Sequence, residues 1–77
     1  MMRPVVVINP NSNQSVTHGL EKSLISFNQF GGFSIECVTL AEGPFGIESQ
    51  LDSDSVVIPL ANLVKNRKDA GAFVIAC

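Results

Sequence analysis

Two groups of residues in this 77-residue chain have the types and spacing to do chemistry. The first is Asn9-Pro10-Asn11-Ser12-Asn13, three carboxamides and a hydroxyl directly behind the apolar run Val5-Val6-Val7-Ile8. Carboxamide N–H groups, and backbone N–H groups at the start of a helix, are fixed donors that hold negative charge. The second group is a pair of thiols, Cys37 and Cys77. They lie far apart in the sequence and show no metal-ligand spacing, and in a reducing compartment both are expected to be free. His18, the single histidine, reads as a solvated helix position on the far side of an apolar stripe.

The elements that must position these groups follow from hydropathy patterning. Pro4 to Ile8 predicts a buried strand, which Pro10 cannot continue. Ser12 or Asn13 then caps a first helix, with Val16, Leu20, Leu24 and Phe27 as its apolar stripe and Gly31-Gly32 as its stop. In an open parallel sheet, the point past the carboxyl end of such a strand is where ligands bind. Phe33 to Leu40 alternates polar and apolar residues and predicts an edge strand, with Cys37 packed on its apolar face beside Ile35. Ala41 to Ser49 is a loop that carries Gly43, Pro44, Gly46 and Ile47. It leaves the carboxyl end of a strand as well, so it reads as a surface connector or as a pocket wall. A second helix starts between Glu48 and Ser55, with Val57, Leu60, Ala61 and Val64 on its inner face. Pro59 either kinks one long helix or lies in the first turn of a shorter one, and the single kinked helix is the expectation. Ala72 to Ala76 is a third strand, apolar throughout.

This order predicts an α/β fold, a three-stranded parallel βαβαβ unit with right-handed crossovers and strand order 2-1-3. Strand three then keeps one bare edge, and that predicts the front part of a longer protein. The composition is 45% hydrophobic and 16% charged, with a net charge of -2. It carries no basic footprint for nucleic acid. The four apolar residues before Asn9 are too few for a signal peptide or a membrane span. The expectation is a cytoplasmic protein with a small-molecule partner and no nucleic-acid or membrane contact.

Ile8-Asn9-Pro10-Asn11-Ser12, Thr17, Gly43-Pro44 with Ile47-Glu48-Ser49, and Val74-Ile75-Ala76-Cys77 resemble the opening of the Asp/Glu/hydantoin racemase family. The resemblance covers the whole chain. It implies a flavodoxin-like lobe of a two-lobed, cofactor-independent and metal-free racemase, homo-oligomeric at full length, with the second lobe absent here. It implies Cys77 as one of two acid/base thiols, because racemisation removes a proton from one face of a carbon and returns one to the other. It implies Asn9, Asn11, Ser12 and Asn13 as donors to the developing negative charge, and Gly43, Pro44, Gly46 and Ile47 as the facing wall. Two positions depart from the pattern. Many racemase-like members carry serine where this chain has Gly46, and serine is common where it has Asn13. The same fold hosts relatives that isomerise or decarboxylate small diacids, of the maleate-isomerase and arylmalonate-decarboxylase kinds. The alternative is a non-catalytic remnant or binding module that associates through its open sheet edge.

Overall fold

The computed structural model describes residues 3–30 and 34–76. Strand β1 (Val5–Asn9) leads through helix α1 (Gln14–Phe30) to strand β2 (Ile35–Thr39). Two short helices follow, α2 (Gln50–Ser55) and α3 (Val57–Asn66), and then strand β3 (Ala72–Ile75). The sheet is parallel with order β2-β1-β3, as the run of crossovers predicts. Val7 stands opposite Cys37 on one side and Val74 on the other. Central placement explains why β1 is buried almost throughout: a strand paired on both edges can cover both faces only with apolar side chains. Val6 and Ile8 are fully buried on one face, and Val7 is buried on the other.

The helices differ from expectation in instructive ways. The first turn of α1 turns Thr17 inward and leaves Val16 40% exposed. The inner stripe is therefore Thr17, Leu20 and Leu24, a hydroxyl followed by two apolar residues, and the polar residue is the buried one. The predicted single kinked helix is two helices, broken at Val56. Pro59 has no N–H to offer the Ser55 carbonyl, and its ring crowds that same oxygen, so the helix restarts with Leu60 N–H on Val56 O at 2.9 Å. Pro59 then lies in the first turn of α3, where the missing N–H costs nothing. The restart also turns the inner face. Val56 is buried, and Pro59, Leu60 and Leu63 are half-buried, whereas Val57, Ala61 and Val64 face outward.

Strand β3 is half covered. Val74 is 50% exposed on the α1 face and Ile75 is 52% exposed on the other. Between α1 and β3 lies an apolar trough walled by Val5, Val7, Leu20, Leu24, Phe27 and Val74. Among the described residues, no helix is long and apolar enough to cross a membrane. The predicted helix stop at Gly31-Gly32 and the start of strand two at Phe33 lie outside the described residues.

Candidate functional site

At the carboxyl end of β1, one side chain holds a whole turn in shape. Asn9 is fully buried. Its Nδ2 donates to the Asn13 carbonyl at 3.0 Å and to Thr17 Oγ1 at 3.1 Å, and its Oδ1 accepts from Asn11 N–H at 3.2 Å. Asn11 Oδ1 in turn accepts from Asn13 N–H at 2.9 Å, and Asn13 Oδ1 accepts from Ser15 N–H at 3.0 Å. Three asparagines two residues apart thus make three consecutive side-chain turns, the last of which caps α1. Of the two predicted caps, Asn13 takes the role.

The Gly-Pro loop is bolted to this turn. Ser12 N–H donates to the Pro44 carbonyl at 2.8 Å, Leu40 N–H to Asn9 O at 2.9 Å, and Gly43 N–H to Leu40 O at 2.9 Å. A methyl group at Gly43 would collide with the Pro10 carbonyl oxygen, so only glycine lets the two segments approach this closely. Gly46 has no such constraint: the nearest atom to a methyl there is the Glu48 carboxylate at 3.8 Å. Asn13, Phe45, Gly46 and Glu48 line an open depression between the turn and the loop. The loop then enters α2 at Ser49, whose hydroxyl accepts from Asp52 N–H at 3.1 Å, while the Asp52 carboxylate accepts from Glu48 N–H at 3.0 Å.

Asn11, Ser12, Asn13, Gly43, Pro44, Gly46 and Ile47 therefore gather at one end of the sheet, all half-buried. Asn9 sits beneath them with its amide spent on the chain itself. Among the described residues, no hydrogen-bond partner takes up Asn11 Nδ2, Asn13 Nδ2 or the Ser12 hydroxyl, which leaves a short row of donors at a helix start. Cys77 lies outside the described residues. Ala76, the residue before it, donates its N–H to Ile8 O at 2.9 Å and carries the third ladder up to the level of this turn.

The other cysteine belongs elsewhere. Cys37 is half-buried on the α1 face of β2, beside Glu21, Leu24, Ile25 and Ile35, as its alternating strand predicts. Burial pushes its thiol pKa up, and the nearby Glu21 carboxylate pushes it further. His18 is solvent-facing, 3.5 Å from Glu21. Patterning alone missed Thr39, whose hydroxyl lies 2.6 Å from that of Thr17. The signal that finds it is register: Thr39 is the residue opposite Asn9.

Comparison with known proteins gives one finding. A family model described as Asp/Glu/hydantoin racemase matches residues 5–77. No curated protein and no solved structure matches the chain.

Proposed function

The chain belongs to the Asp/Glu/hydantoin racemase family, and from that premise we propose that it supplies one wall of a cofactor-independent racemase site for an amino acid or hydantoin-type derivative. The observation that carries this reading is the braced Asn9–Asn13 turn, with its unspent donors at the start of α1. A proton leaving the carbon beside a carbonyl puts negative charge on the carbonyl oxygen. Donors already fixed where that charge develops lower the barrier without having to reorganise. In this reading Asn11, Ser12 and Asn13 face the ligand and Asn9 holds them in place. Gly43, Pro44, Gly46 and Ile47 form the opposing wall.

Cys77 carries the proton in this proposal. In the sequence it directly follows Ala76, whose N–H donates to Ile8 O at 2.9 Å. As thiolate it removes the proton from one face of the substrate, and as thiol it returns one. The reaction needs a second such group on the opposite face. Cys37 does not supply it, because it stands opposite Val7 within the sheet, under α1, where burial pushes its thiol pKa up. The proposal therefore needs a partner group other than Cys37, and without one Cys77 does not turn substrate over.

The experiment is solvent deuterium incorporation at the stereocentre of a panel of 5-substituted hydantoins and amino acids, with the protein purified from its source cells. Incorporation that disappears in Cys77→Ser supports the reading; incorporation that persists in that variant removes Cys77 from the mechanism. A diacid isomerised or decarboxylated in place of a racemised hydantoin keeps the site and changes the substrate class. The second reading, a non-catalytic module, has its own observation: β3 is half exposed on both faces. It predicts concentration-dependent association and no incorporation with any member of the panel.

A further inference from the structure

Beneath the proposed ligand turn, three elements meet through three polar side chains. Asn9 comes from β1, Thr17 from α1 and Thr39 from β2. Asn9 and Thr17 are buried, and Thr39 is half-buried. Asn9 Nδ2 donates to Thr17 Oγ1 at 3.1 Å, and Thr17 Oγ1 lies 2.6 Å from Thr39 Oγ1. The order of donation follows from the inventory of groups. Thr17 Oγ1 already accepts from Asn9, which can only donate through Nδ2. The Asn13 carbonyl, the usual acceptor for a hydroxyl one helical turn on, is occupied by Asn9 Nδ2 and by Val16 N–H at 3.1 Å. The Thr17 proton is therefore spent on Thr39, and the relay runs Asn9 to Thr17 to Thr39.

We infer that Thr17 and Thr39 are positioning residues for the Asn9–Asn13 turn. Rotating the Asn9 amide by half a turn exchanges its oxygen and nitrogen with almost no change of shape, so packing does not choose between the two orientations. Hydrogen bonds choose. The correct orientation offers Oδ1 to Asn11 N–H and Nδ2 to Asn13 O. Thr17 adds an acceptor for the second Nδ2 proton, and Thr39 commits the Thr17 hydroxyl to that role. With Asn9 fixed, Asn11 N–H and then Asn13 N–H are fixed in sequence, and so are the donors that face outward. The inference rests on the reading of this turn as the anion-holding wall, but it concerns the shape of the turn, which is measurable without substrate.

The test is backbone amide hydrogen exchange by NMR, with the β1 amides of Val7 and Ile8 in the same sample as the reference for global opening. Thr17→Val removes the hydroxyl and keeps the shape. It should speed exchange at Asn11 and Asn13 by about tenfold relative to the reference, the effect of losing one buried hydrogen bond. It should also shift the Asn9 side-chain amide resonances. Thr17→Ser, which restores the hydroxyl, should return both readouts to wild type. Thr39→Val leaves the Thr17 hydroxyl in place, and should raise the same two exchange rates by a smaller factor if Thr17→Val proves too unstable to study. Exchange at Asn11 and Asn13 that changes only in step with Val7 and Ile8 overturns the inference, because it reduces the pair to general stability. Since no substrate enters this measurement, its failure is separate from a failure of the racemase reading, which is the absence of deuterium incorporation in the wild-type protein.

Discussion

Asn9 is the residue on which the 9–13 turn depends, and its role differs from that of its neighbours. The sequence shows four polar residues across positions 9–13, interrupted by Pro10, and gives no ground for ranking them as ligand contacts. Burial ranks them: Asn9 is enclosed with both amide protons donated and its oxygen accepting within the chain, whereas Asn11 and Asn13 keep an amide nitrogen to spare among the described residues. Asn9→Ala leaves Asn11 N–H without its acceptor and strips the support under Thr17, and it should cost about 2 kcal/mol in urea unfolding. The two loop glycines should separate cleanly. Gly43→Ala meets the Pro10 carbonyl and should cost about 1–3 kcal/mol. Gly46→Ser enters open space beside Glu48 and should stay within about 0.5 kcal/mol of wild type. A Gly43→Ala protein as stable as the Gly46→Ser protein would contradict the close approach of turn and loop.

At the scale of elements, the strands were legible and the helix faces only in part: Leu20, Leu24 and Leu60 face inward as their spacing predicts, whereas Val16, Phe27, Val57, Ala61 and Val64 do not. Val5-Val6-Val7-Ile8 and Ala72-Phe73-Val74-Ile75 are short apolar runs bounded by turn residues, and the alternation across Glu36 and Cys37 marks an edge; order and register follow with few alternatives. Helix faces depend on where each helix starts, and that is decided by single caps. Asn13 as the cap of α1 brings Thr17 inward in place of Val16. The break at Val56 brings Leu63 inward in place of Val64. In both cases a shift of one residue moves an apolar side chain into solvent, which hydrophobicity alone does not foresee. The turn at residues 9–13 was legible as a turn at the end of β1 because proline and asparagine declare it. The Thr17–Thr39 pair was not, because its members come together only once β1 and β2 are in register.

At the scale of the molecule, two features sit at opposite ends of the sheet. At the amino end, Arg67 makes a bidentate pair with Glu36 of β2 at 2.7 and 2.8 Å and binds Asp69 at 2.9 Å through two nitrogens. The guanidinium holds both carboxylates below their ordinary range and is itself held more firmly protonated by them. A carboxylate with a lowered folded pKa adds stability that is present above its unfolded value, about 4, and lost as pH falls through the folded value. Arg67→Gln should therefore be less stable than wild type in urea at pH 7, with the gap closing as the pH is taken below the carboxylate range. A gap that stays constant with pH would assign the effect to packing of the Arg67 stem. At the carboxyl end lie the turn, the Gly-Pro loop and the end of the β3 ladder, and the proposal joins them to Cys77 as one proton-transfer site. The most direct measurement is the pH dependence of alkylation of the two thiols in the same sample, with each modified peptide located by mass. The account predicts that Cys37 titrates above the ordinary thiol value, pushed up by burial and Glu21. It predicts that Cys77, as the proton-carrying thiol of the proposal, titrates below Cys37. A Cys77 that titrates with Cys37 or above it would contradict the claim that this end of the sheet is built to hold negative charge.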